Sequence, residues 1–156
     1  DGVKSLAGVM DQAADPAPGP AVDLDSATTL NNIANAYMYL QEYSQAIEYY
    51  SAGQQIIIDC VSPFHPDVAT AYFNIGCAYK HLEQYQDAWH VYEAARGIRE
   101  RLFGAEHAST TACCVALADV LLTLGEADQA VEYYRYVLSV RERQSGAAAL
   151  ACAPCY

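Results

Sequence analysis

Basic residues are scarce in this chain: eight lysines and arginines stand against nineteen acids in 156 residues, for a formal net charge of −11. The scarcity is greatest in residues 1–79, which carry nine acids and only Lys4. Nucleic acid is held through a basic stripe that neutralises phosphates, so it is excluded as a partner class, and an anionic membrane surface is disfavoured for the same reason. Long apolar runs are also missing. The longest, around residues 112–122, is interrupted by Asp119 and falls short of the roughly 20 apolar residues a membrane-crossing helix needs. A phosphate loop, a glycine dinucleotide fingerprint and an HExxH pair are all absent, which removes the commonest nucleotide and metalloprotease signatures.

The chain is instead rich in tyrosine, and it repeats. Segments SATTLNNIANAY, VATAYFNIGCAY and TTACCVALADVL align at a spacing of 42 residues, as do Ala46, Ala88 and Ala130, and Tyr50, Tyr92 and Tyr134. Self-similarity at a fixed period marks a solenoid, in which each unit buries its apolar face by stacking on its neighbour. The hydrophobic share of 53% against 17% charged residues suits a folded chain rather than a disordered one.

In the first half of each unit the apolar residues fall at i, i+3, i+4, i+7 and i+10. They are Leu30, Ile33, Ala34, Tyr37 and Leu40, then Tyr72, Ile75, Gly76, Tyr79 and Leu82, then Cys114, Leu117, Ala118, Leu121 and Leu124. That is the stripe of an amphipathic helix. The second halves repeat it through Ala46, Tyr50 and Ile57, through Ala88, Val91, Tyr92, Ala95 and Leu102, and through Ala130, Tyr134, Val137 and Leu138. The connections QEYS, EQYQ and GEAD leave room only for a tight turn, so the helices of each unit run antiparallel. Ala34, Gly76 and Ala118 face Ala46, Ala88 and Ala130 as small residues where the backbones cross. The expected fold is all-α, a right-handed solenoid of three antiparallel hairpins with units at 26–65, 66–107 and 108–146. The periodic tyrosines read as core with the hydroxyl at its edge.

The ends differ from the units. Residues 2–14 carry Val3, Leu6, Val9, Met10 and Ala13 at helical spacing and predict an N-terminal helix or cap over 1–15, followed by a proline-rich linker over 16–25. Residues 147–156 read as a tail or a truncated next helix, and the start at Asp1 rather than Met suggests a fragment of a longer protein. The six cysteines do not recur in register, so reduced thiols in an intracellular, cytoplasmic setting are expected rather than a disulfide framework. The spacing of Cys152 and Cys155 suits zinc or a redox dithiol, but zinc needs two further ligands, and no metal or cofactor is expected.

Ile33, Ala34, Tyr37, Ala46 and Tyr50, echoed in the next two units, resemble the tetratricopeptide repeat. The long spacing, with HPDVATAYFNIGCAY and YQDAWHVYEAARGIRERLFGAEH, resembles the repeats of kinesin light chains. The resemblance implies a protein-binding scaffold or adaptor whose first helices line a concave groove. Facing it would be Thr28, Asn31, Asn32, Asn35, Met38 and Tyr39, then Thr70, Phe73, Asn74, Cys77, Lys80 and His81, then Ala112, Val115, Ala116, Asp119, Leu122 and Thr123. Asn35 and Asn74 match the asparagines of the family's clamp for a C-terminal carboxylate. Its basic residues are replaced by Asn31, Ala112 and Ala116, so a partner peptide with hydrophobic anchors is expected in place of an acidic tail. The alternative is a structural segment that packs within a larger assembly or self-associates through its ends. Cys77, His81 and Asp119 suggest on paper a nucleophile, base and acid, but a helix interior offers no oxyanion donor, and no enzyme is expected.

Overall fold

In a computed structural model of the chain, residues 23–151 are described, with side chains as far as Ser145. The expected N-terminal helix and most of the proline-rich linker lie outside the described residues, as do Cys152 and Cys155. Among the described residues there are six α-helices and no strand: α1 Leu24–Tyr39, α2 Tyr43–Cys60, α3 Pro66–His81, α4 Tyr85–Phe103, α5 Ala108–Leu124 and α6 Ala127–Ala151. Each helix packs on the next in chain order, which makes an all-α stack of hairpins.

The 42-residue spacing extends to the helix ends. Asp23, His65 and His107 hold equivalent places and cap α1, α3 and α5, each with its side chain accepting a backbone N–H in the first turn. Pro66 occupies the first turn of α3, where its missing N–H costs nothing. Within the hairpins the turn needs one left-handed residue, supplied by Gln41 (φ 61°), Glu83 (φ 59°) and, in the third unit, Gly125 (φ 86°). Only the glycine adopts this without steric cost.

Ala34, Ala46, Ala88, Ala118 and Ala130 are fully buried at the hairpin crossings. The middle unit has Gly76 instead, because Tyr92 lies directly on it: a Cβ there would sit 2.6 Å from the ring. Phe73, tilted on Tyr92 at 5.2 Å, occupies the place held by Asn31 and Val115 in the other units and accompanies that closer approach. The expected stripe is buried in its centre and open at its ends. Leu40, Leu82, Leu124 and Leu102 are exposed at the ends of their helices, and Ile33 and Leu138 are exposed on the outer flanks of the described stack.

Gly76→Ala is expected to destabilise the chain by about 1–3 kcal/mol through overpacking against a ring that cannot retreat. Urea unfolding checks this, with Phe73→Val in the same background restoring part of the loss.

Candidate functional site

The second helix of each unit reaches across the hairpin with a tyrosine. The Tyr50 hydroxyl donates to Asn35 Oδ1, the Tyr92 hydroxyl to Cys77 Sγ at 3.3 Å, and the Tyr134 hydroxyl to Asp119 Oδ1. Donor and acceptor are 15 residues apart each time, and successive pairs are 42 apart. The ring fills the hairpin interior while the hydroxyl surfaces beside the first helix, and its acceptor is a residue expected to line the groove. Burial first, then the bond to Cys77, holds the Tyr92 hydroxyl far above its usual range.

Five of the predicted groove residues, Asn35, Met38, Tyr39, Asn74 and Cys77, come together between the first and second units. A cleft of about 420 Å³ is lined by Asn35, Met38, Tyr39, Tyr50, Asn74 and Cys77. Tyr39 stands 90% exposed at its edge. With Tyr50 donating to Oδ1, the Asn35 amide nitrogen is left to donate outward. The equivalent junction between the second and third units is spanned by Lys80 Nζ, 3.8 Å from Asp119 Oδ2.

Three predicted residues lie outside this cleft. Asn31 is turned into the hairpin: its Oδ1 is buried 3.0 Å from the Cβ position of Gly53 and has no hydrogen-bond partner among the described residues. Phe73 is packed on Tyr92 with the Arg99 guanidinium 4.8 Å above its ring. Asn32 shares its register with Asn74 but sits exposed on α1, which has no preceding unit among the described residues. The side chains that suggested a catalytic set are each engaged elsewhere. Cys77 accepts from Tyr92, His81 stacks on Tyr43 at 4.6 Å, and Asp119 holds Tyr134 and Lys80.

A second cleft, of about 510 Å³, opens between α4, α5 and α6 and was not anticipated. Its walls include Arg96, Glu100, Thr110, Cys114, Glu132, Tyr133 and Tyr136. Arg96 is bound by Glu93 at 2.8 Å and Glu100 at 3.2 Å, and Tyr133 also donates to Glu93. Its residues come from the end of one unit and the body of the next, so no local motif announces it. Among the described residues no group of side chains could hold a metal ion, and no helix is long and apolar enough to cross a membrane.

Stacked helical hairpins with a shared crossing and a first-helix face lined in register define an α-solenoid interaction repeat. A tetratricopeptide repeat signature matches residues 25–96 and again 78–143. The chain belongs to the tetratricopeptide repeat family. Solved structures similar to it include BtubC (BKLC) from P. vanneervenii, at 21% identity and TM-score 0.72, covering 78% of this chain and 48% of that one. A kinesin light chain repeat protein from Podosopora anserina is similar at 20% identity and TM-score 0.67, covering 78% of this chain and 58% of that one. The chain thus spans about half the length of these two. The first repeat domain of Spaghetti (RPAP3), bound to the HSP90 peptide SRMEEVD, is similar at 23% identity and TM-score 0.58, covering 85% and 99%. Among curated proteins no sequence matches.

The hydroxyl bonds have an alkaline signature. Burial first, then its bond to Glu93, pushes Tyr133 up to about 12; the bond to Asp119 first, then burial, pushes Tyr134 up to about 12. Because an unfolded tyrosine ionises near 10.0, the stability carried by these bonds is full below about pH 10 and is lost as pH rises from there toward about 12. Denaturant unfolding across that window is expected to show the decline, and Tyr133→Phe or Tyr134→Phe to flatten it.

Proposed function

We propose that the chain is a protein-interaction module that takes an extended or helical segment of a partner across the face formed by α1, α3 and α5, in a scaffold or adaptor role. The observation that carries this is the cleft joining Asn35, Tyr39 and Asn74. It sets an oriented amide donor, a second amide and an exposed aromatic ring around one opening. An extended peptide offers the backbone carbonyls and N–H groups such amides pair with, and Tyr39 and Met38 offer apolar contact to its side chains.

Charge selects among peptides. Lys80, the basic residue of the predicted groove, faces Asp119, and the chain as a whole carries −11. An acidic peptide such as the SRMEEVD bound by Spaghetti would find little to neutralise it here. A neutral or weakly basic segment with hydrophobic anchors fits better, and a kinesin-light-chain-like role in cargo or complex assembly is consistent with it. A reducing, cytoplasmic setting is part of the proposal, supported by Cys113 and Cys114, buried thiols outside any disulfide.

Selection from a peptide library is expected to yield neutral, hydrophobic-anchored ligands. Tyr39→Ala and Asn74→Ala should each weaken them by about tenfold, the scale of a central contact. Ligands insensitive to both substitutions, or dominated by acidic C-termini, would contradict the groove assignment.

A further inference from the structure

Of Gly53, Gly76 and Gly97, each inside a helix, two have a reason in the core. Gly76 lies under the Tyr92 ring, and a Cβ on Gly53 would sit 3.0 Å from Asn31 Oδ1 and 3.1 Å from the Ala27 carbonyl oxygen. Gly97, in the body of α4, has nothing within 4 Å of its Cβ position. A glycine there weakens the helix relative to alanine. The fold does not ask for one, because Gln55 and Ser139 hold the same place in α2 and α6.

The open space beside Gly97 belongs to a cleft of about 340 Å³ between α2, α3 and α4, with Ile58, Phe64, Val68, Tyr72 and Ala94 among its other walls and no charged side chain lining it. Cys77 of the groove follows Val68 by about two and a half helical turns, so the cleft opens on the opposite side of α3 from the groove. It is the counterpart, one unit earlier, of the cleft between α4, α5 and α6: Ile58, Val68, Tyr72 and Ala94 stand where that one has Glu100, Thr110, Cys114 and Tyr136. There the chain supplies an aromatic ring itself. Tyr136 is half-buried, and its hydroxyl donates to the Ala105 carbonyl at 3.0 Å. Here Ala94 offers only a methyl group, and the larger Tyr72 forms one wall without closing the cleft.

We infer that this cleft is a second contact surface, which takes an uncharged aromatic side chain, tyrosine or phenylalanine, from a partner protein. Ile58 and Val68, in the places of Glu100 and Thr110, leave a charged anchor nothing to pair with, and burying it unpaired is costly. Tyr136 shows that a tyrosine ring suits this place in the stack. Gly97 lets the incoming group approach α4 more closely than any side chain would allow. The volume lies near the small end of ligand pockets, which run from about 300 to 1,000 Å³, and so suits one large side chain better than a cofactor. At its mouth the Arg101 guanidinium stacks 4.2 Å from the centre of the Phe64 ring and holds that wall in place. The cleft shares no residue with the groove, so it stands independently of peptide binding there.

The test uses the full chain and p-cresol, the tyrosine side chain as a free molecule, followed by NMR in the wild type, Gly97→Gln and Ala94→Tyr. Each variant installs the residue that another unit carries at that place, Gln55 in α2 and Tyr136 in α6, so the fold is kept. In the wild type p-cresol is expected to give saturable shifts at Val68, Ala94 and Gly97, and methylguanidinium none. Both variants should weaken p-cresol at least tenfold, and Ala94→Tyr should also raise the urea midpoint as the new ring fills the cleft. Peptides selected from a random library on the wild type and lost on Gly97→Gln are expected to carry a tyrosine or phenylalanine whose change to alanine costs at least tenfold in affinity. No saturable shift in the wild type, or p-cresol binding that survives both substitutions, would overturn the inference. So would cleft resonances that move on dilution of the protein alone, which would assign the cleft to a second copy, and selected peptides anchored there by a basic or aliphatic residue.

Discussion

Every unit depends on one contact, a second-helix tyrosine whose ring packs on a small first-helix residue and whose hydroxyl bonds the side chain of the next residue along that helix. The ring needs Ala34, Gly76 or Ala118 beneath it. With a larger residue there the helices would separate and the hydroxyl would fall short. Burying an aromatic ring contributes about 1.5–3 kcal/mol, and a satisfied hydrogen bond about 0.5–1.5 kcal/mol more. The hydroxyl also sets the register of one helix against the other, because only one sliding position brings it to its acceptor.

The same contact joins the fold to the proposed binding face. Asn35, Cys77 and Asp119 accept the tyrosines, and Asn35 and Cys77 line the cleft between the first two units. The core therefore orients the groove before any ligand arrives, which lowers the entropic cost of binding. The two junctions then diverge in chemistry. Met38 and Tyr39 leave the first open and partly apolar, whereas Lys80 in the place of Met38 reaches Asp119 across the second. That ion pair is about two-fifths exposed and contributes little stability, about 0–1 kcal/mol, so its consequence is to give the groove two unlike halves.

The architecture was legible because packing enforces identical residue classes at identical places: the Ala46 and Tyr50 series, the small crossing residues and the helical stripe all recur at 42. The hydroxyl acceptors were not legible. An amide, a thiol and a carboxylate share no composition, yet each can accept one hydrogen bond, and in isolation Cys77 and Asp119 resembled catalytic groups. Asn31 and Phe73 were assigned to the groove because a helical wheel cannot say on which side of the stripe the partner helix lies. The packing of Asn31 against Gly53 and of half-buried Phe73 against Tyr92 comes from a tertiary angle. Leu102 and Leu138 keep the apolar period but are exposed, Leu102 at the end of α4 and Leu138 on the outer flank of the described stack.

The central claim is that a core tyrosine orients a groove side chain. It is tested most directly by NMR of the Asn35 side-chain amide in the wild type and in Tyr50→Phe. The expected result is a rigid, singly oriented amide in the wild type that becomes mobile in the variant while the backbone resonances of α1 and α2 stay in place. An Asn35 amide already mobile in the wild type, or unmoved by loss of the hydroxyl, would contradict the account.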